Sequence, residues 1–439
     1  MQIETLKDLN QLMQSHGVKR LYAKALSAND NSKNQVYFGS DFSALNIIPH
    51  KKIFTDSDFC AGSKRNRAKA KITFAWVAEN GLHSAPEAQL ILYPKYPEVR
   101  FSGFLRGCNN SPSKLMQSRD PNRILFLGIT RSGEVIGYIA ATHSNLAQEF
   151  IGTNNLVEVG VFREIPMLAS TDFRTELLTA LKDIYEKHWI ESQKLGLDRI
   201  PRPYKARNGG GYTLESKLGI TPNGYSEPDY LGWEIKQYSV TNFKTFRAKA
   251  PITLFTPEPS GGYYKEAGLI PFVDRYGYAD KSGKNNRKNF GGVYSYNGDF
   301  HKDTGLRLSL IGYDETNGTI NDISGGLALI DKNEELAAIW TYSVILEHWN
   351  RKHARAAYVP SLFKTPPPKY RYGPKILLCE GTDFSRFLKA LTRSAIYLDP
   401  AIKVIREEGE IPRSKRRNQF RIKHKQLAML YEKTETVSL

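Results

Sequence analysis

The first periodicity along the chain is helical. In "MQIETLKDLNQLMQSHGV" apolar residues recur at helical spacing, which predicts an amphipathic N-terminal helix. From about residue 20 to 165 the pattern changes to short alternating runs. Residues 34–38, "KAKITFAWVAENG" (69–81) and "EAQLILYPKYPEVRFSGFLRG" (87–107) read as strands. "RILFLGITRSGEVIGYIAAT" (123–142) reads as a hairpin turning at Ser132-Gly133. Long helical spacing returns at "DFRTELLTALKDIYEKHWIES". There Leu177, Leu178, Leu181, Ile184 and Tyr185 share a face, and Asp172 is the expected N-cap. "EELAAIWTYSVILEHWNRKHA" (334–354) and "GTDFSRFLKAL" (381–391) predict two more helices. The pattern therefore predicts an α+β protein, with a mostly-β domain over 1–165 followed by an α/β domain over 166–439. A chain of 439 residues is also longer than one ordinary core accommodates.

Composition narrows the partner. A formal net charge of +17 and a pI near 9.5 point to a polyanion, and the basic residues cluster among aromatics, as nucleic-acid surfaces do. No apolar run reaches the roughly 18 residues of a membrane span, and no basic amphipathic helix suggests a membrane surface. The N-terminus lacks the basic start and apolar centre of a signal peptide. Cys60, Cys108 and Cys379 are far apart, which excludes a disulfide framework or a zinc site and fits a reducing cytoplasm.

The chemistry concentrates in "GYTLESKLGITPNGYSEPDYLGWEIKQY" (211–238), which follows the basic loop "GLDRIPRPYKARNGGG". "YTLESKLG" reads as a short helix ended by Gly219, and "DYLGWEIKQY" as an extended segment entering a strand. Side chains alternate along a strand, so Glu234 and Lys236 share one face while Ile235 points into the core. Asp229 converges on them across a twist or bulge. Two adjacent carboxylates repel unless a cation lies between them, and a hard ion such as Mg²⁺ fills that place. A lysine beside the pair suits a site where a phosphate oxygen meets a water molecule. The bland alternative is a solvated Glu-x-Lys ion pair on an edge strand.

These residues resemble the catalytic core of the MvaI/BcnI restriction endonucleases, which are similar to the mismatch-repair nickase MutH within the PD-(D/E)XK nucleases. The matching positions are Thr213, Leu214 and Glu215, then Pro228, Asp229, Glu234 and Lys236. "IYLDPAIKVIREEGEIPRSKRRNQFRIKHKQLAMLYE" (396–432) is similar to the end of the same family. The resemblance implies a restriction-endonuclease-like fold for the second domain. It also implies a type II, Mg²⁺-dependent double-stranded DNA endonuclease that leaves 5′-phosphates and works as a monomer. Asp229, Glu234 and the Ile235 carbonyl would bind the metal, Lys236 would act on the water, and Glu215 would support them. A MutH-like nickase and a catalytically silent DNA-binding module are the alternatives.

Two regions are candidates for reading DNA. "AIKVI" and "QFRIK" are expected to pair as a ribbon for the major groove. The DNA-binding candidates there are Arg413, Lys415, Arg416, Arg417, Asn418, Gln419, Arg421 and Lys423. The segment 24–49 resembles the N-terminal effector domain of EcoRII, a DNA-binding pseudobarrel. That likeness implies DNA contacts from Asn29, Asn31, Lys33, Arg100 and Arg106, and binding of a second DNA copy. His348 and His353 lie five apart on a helix, off metal-ligand spacing, and are read as structural or as phosphate contacts.

Overall fold

A computed structural model describes residues 3–56, 66–167, 173–206, 208–221 and 229–439. Asp172 and Pro228 lie outside the described residues. The fold is mixed α/β, in two compact units, Met1–Asp172 and Phe173–Leu439.

The first unit opens with the helix Leu6–Ser15, started by a capping box in which the Thr5 and Asp8 side chains each cap the other's backbone N–H. A seven-stranded sheet follows, built around the antiparallel strands Val18–Leu26, Arg123–Thr130 and Val135–Ala140. The turn between the last two passes through Gly133 at φ +81°, as the Ser-Gly pair predicts. The alternating stretch 69–81 is divided between sheets: Ala68–Lys71 joins a separate five-stranded sheet, whereas Phe74–Ala78 joins the seven-stranded one. Aromatic rings connect the two sheets. Phe74 and Phe101 lie 5.1 Å apart and Phe101 and Phe104 4.7 Å, and the Trp76 indole donates to the Phe104 carbonyl at 2.6 Å.

The second unit is organised by the ten-residue strand Arg355–Lys364. On one side it pairs in parallel with Glu234–Ser239, in the register Glu234↔Ala356 and Ile235↔Ala357. On the other it pairs with Lys369–Tyr372 and Lys375–Glu380, which act as one antiparallel strand interrupted at Gly373-Pro374. Leu177, Leu181 and Ile184 of the helix Phe173–Glu186 cover one face. They share a core with Leu214, Trp233, Ile235, Ala357, Val359, Tyr370 and Leu378. Ile235 is thus anchored inward, and its neighbours Glu234 and Lys236 are directed to the opposite face.

Two sequence expectations need correction. Segment 334–354 is not a single helix: Leu336–Thr341 is a strand, and the helix is Tyr342–His353. The run Leu-Ala-Ala-Ile-Trp is apolar at every position, so periodicity does not separate a buried strand from a helix there. The C-terminal ribbon exists in a different register. Ile396–Leu398 pairs with Phe420–Ile422 and Ala401–Ile405 with Arg413–Lys415, and bonds from Asp399 to Gln419 and from Ala401 to Arg417 link the two stretches. "AIKVI" therefore faces "RSK", and "QFRIK" faces "IYL". This register directs Ile402, Val404, Phe420 and Ile422 inward together.

Candidate active site and nucleic-acid interface

Glu234 begins its strand almost entirely buried, at 1% exposure. Its Oε1 lies 2.6 Å from Lys236 Nζ and 3.6 Å from Lys352 Nζ. Its Oε2 is buried and accepts no hydrogen bond. Asp229 is oriented by the Ile235 N–H, which donates to its Oδ2 at 3.1 Å. The short helix Gly209–Lys217 brings Glu215 into the same electrostatic neighbourhood, where it interacts with Asp229, Lys236, Lys352 and Lys194. Gly219, at φ +73°, ends that helix turn as expected.

The charges are strongly coupled. Burial, with the nearby Asp229 charge, pushes the Glu234 carboxyl up to about 7 in spite of the two lysines. Burial and Asp229 also raise Glu215. Burial disfavours the Lys236 ammonium, but Glu234, Asp229 and Glu215 outweigh it and hold the ammonium charged. The solvated ion pair on an edge strand is excluded for Glu234, since its carboxylate has left the solvent. Among the described residues no three His, Cys, Asp or Glu side chains form a ready metal cage.

Lys352 carries no signal in the sequence. It stands on the helix Tyr342–His353 and reaches a strand more than a hundred residues away in sequence, so no local motif announces it. His353, one residue on, is fully buried, with its two ring nitrogens 3.2 and 3.1 Å from the carbonyls of Trp349 and Leu254, one of which accepts its single N–H, a packing that makes it structural. His348 stacks on Phe255.

The C-terminal hairpin separates its candidates by strand alternation. Arg413, Lys415, Arg416, Arg417 and Lys423 are exposed. Lys403 and Lys415 are directly opposed across the ladder, an arrangement that repels without a counter-anion. Asn418 faces inward at 2% exposure, bonded to Glu258, and is withdrawn from any groove. Gln419 is bonded to Thr253, and Arg421 is held by Asp399 at 2.5 Å and by the Pro251 carbonyl.

In the first unit the loop "SANDNSKNQ" is organised by buried polar groups. Asp30 pairs with Lys24 at 2.6 Å and accepts the N–H groups of Ser27 and Tyr37. Asn31 is buried and folds the loop by accepting from the N–H groups of Lys33 and Asn34, so it supports the surface instead of forming it. The buried Arg123 guanidinium donates to the carbonyls of Ser27, Asp30, Leu115 and Asp120. The loop borders a cavity of about 1400 Å³ lined by Asn29, Lys33, Asn34, Gln35 and Arg100 among others. Arg100 is paired to Glu98, and Arg106 is exposed.

The MvaI/BcnI restriction endonuclease family profile matches residues 178–431, a span that contains both the Asp229/Glu234/Lys236 cluster and the hairpin. The chain belongs to the MvaI/BcnI restriction endonuclease family. Membership makes it a nuclease of the restriction type. A solved complex of restriction endonuclease MvaI with cognate DNA substrate is 18% identical, with a TM-score of 0.45, covering 61% of this chain and 99% of that one. MvaI in the absence of DNA is 16% identical, with a TM-score of 0.34, covering 62% of this chain and 100% of that one. No curated protein matches the chain. No helix among the described residues is long and apolar enough to cross a membrane.

The position of Glu234 sets a pH test on the metal-free protein. Its folded pKa lies above the ordinary 4.5. Its contribution to stability is therefore fully present below about 4.5 and is lost as pH rises through about 7. In EDTA, denaturant unfolding should show wild type losing a few kcal/mol relative to Glu234→Gln across that window. Parallel curves would mean that this carboxyl titrates normally.

Proposed function

We propose that the chain is a type II, Mg²⁺-dependent, site-specific endonuclease of double-stranded DNA, acting in the cytoplasm as a monomer and leaving 5′-phosphate ends. The observation that carries this reading is the buried Glu234 carboxylate, with Lys236 on one oxygen and its other oxygen unpartnered, coupled to Asp229. That donor set suits a hard divalent ion, because it offers carboxylate oxygens and a buried lone pair that accepts no hydrogen bond. Asp229, Glu234 and the Ile235 carbonyl would hold the ion. When bound, the ion polarises the scissile phosphate and lowers the pKa of a water.

The chain's own groups divide the remaining work. The Lys236 ammonium orients the attacking water and stabilises charge on the phosphate as it becomes five-coordinate. Lys352, which approaches the same carboxylate oxygen, adds positive charge to attract the phosphate. Glu215 supports both lysines. The hairpin presents Arg413, Lys415, Arg417 and Lys403 to the DNA backbone, and the opposed pair Lys403 and Lys415 is relieved when phosphates lie between them. Arg416, Gln419, Arg421 and Lys423 supply or support base contacts, with Arg421 pre-oriented by Asp399.

Incubation of plasmid with Mg²⁺ and sequencing of the ends tests this. Discrete linear fragments support the reading, nicked circles alone favour a MutH-like nickase, and unchanged plasmid favours a silent DNA-binding module. Asp229→Ala and Lys236→Ala should each reduce cleavage by about 10³-fold or more while retaining site-specific binding. Full activity in either folded variant contradicts the assignment.

We also propose that the first unit is a DNA-binding effector domain of pseudobarrel type, which takes a second copy of the site in its cavity. Asn29, Lys33 and Arg100 at that cavity, with the loop fixed by Asp30, Asn31 and Arg123, support this reading. Arg106 extends the cationic surface. A short duplex carrying the site should change the cleavage rate of a one-site plasmid, and the double variant Asn29→Ala/Lys33→Ala should remove that response while basal cleavage persists. No response in wild type leaves the unit as a brace.

A further inference from the structure

Residues 193–203 form an arm. Gln193–Leu195 and Pro201–Pro203 pair in the register Lys194↔Arg202 and belong to no larger sheet. The tip is held by bonds from Arg199 N–H to the Gly196 carbonyl at 2.9 Å and from Gly196 N–H to the Ile200 carbonyl at 3.0 Å. Asp198 accepts the Ile200 N–H and both ends of the Arg202 guanidinium. This ordered tip displays Leu197 at 90% exposure and Ile200 at 57%. A lone exposed aliphatic residue needs no explanation, but two on one rigid, cationic projection form a contact surface.

The base of the arm is attached to the catalytic helix. Gln193 donates to Thr213 Oγ1 at 3.0 Å and to Ser216 Oγ at 2.7 Å, on either side of Glu215 in sequence. Lys194 lies over the Tyr212 ring at 4.8 Å and acts electrostatically on Glu215. From Lys194 to the tip is three residues, or about 10 Å of strand.

We infer that this arm lies against duplex DNA beside the scissile phosphate, its cations on the backbone and Leu197 packed on sugar and base edges in a groove. The inference rests on the nuclease reading and adds a contact to it. Charge favours DNA as the occupant, since residues 193–205 carry Lys194, Arg199, Arg202 and Lys205 with a single acidic residue, Asp198. The edge chemistry disfavours a second protein strand, because Pro201 and Pro203 have no N–H to offer one. Aliphatic residues on cationic elements are suited to groove contacts of this kind.

The test uses the full chain and a duplex carrying the mapped cut site, with Ca²⁺ replacing Mg²⁺. A photoreactive benzoylphenylalanine at position 197 should crosslink to nucleotides within about three base pairs of the cut, the reach of a 10 Å arm. Leu197→Asp, which brings a carboxylate to the anionic groove, should slow single-turnover cleavage with Mg²⁺ by about tenfold, whereas Leu197→Met should keep the wild-type rate. Crosslinking to a second protein chain, no crosslink to DNA, or a Leu197→Asp variant as fast as wild type overturns the inference. If wild type cleaves nothing, the nuclease reading fails separately, while crosslinking to a mixed-sequence duplex still decides whether the tip touches DNA.

Discussion

A carboxylate taken out of water must be neutralised, paired or protonated, and Glu234 is where this chain meets that requirement. It is buried at the start of a strand, between Asp229 and two lysines. Removing its solvent without supplying cations would cost several kcal/mol. The site therefore supplies cations from two directions, Lys236 from the same strand and Lys352 from a distant helix, and both lysines also act on Glu215 of the preceding short helix. The carboxyls hold the Lys236 ammonium charged, and the lysines oppose the rise that burial imposes on Glu234 and Glu215, so the cluster acts as a unit.

The rest of the second unit serves this arrangement. Parallel pairing with Arg355–Lys364 fixes the register of Glu234–Ser239. Burial of Trp233 and Ile235 against Leu177, Leu181 and Leu214 then fixes which face each side chain takes. A slip of one residue would place Glu234 in that apolar core and Ile235 in the site. The same alternation orders the hairpin, where inward Phe420 and Ile422 force Arg417, Gln419 and Arg421 onto the opposite face.

What could be seen in the sequence was local. The spacing of Asp229, Glu234 and Lys236 shows in one short stretch, because strand alternation alone places the last two together. The hairpin at 123–142 and the helix at 173–186 show for the same reason. Features that depend on remote contacts were hidden. Lys352 has no neighbour in sequence that marks it, and Asn418 and Asn31 have reader-like side chains that tertiary packing turns inward. The strand Leu336–Thr341 was concealed by a run apolar at every position. The hairpin register depended on which apolar residues met a core that no single segment reveals.

The proposed cation site is formed by Glu234 and Asp229 against Lys236. It is tested most directly by a crystal structure of the protein soaked in Mn²⁺, with the anomalous signal used to locate the ion. One peak is expected within about 2.2 Å of carboxylate oxygens of both Asp229 and Glu234, with the Lys236 ammonium adjacent to it. A map with no peak there, or an ion bound elsewhere while Lys236 stays paired to Glu234, would contradict it.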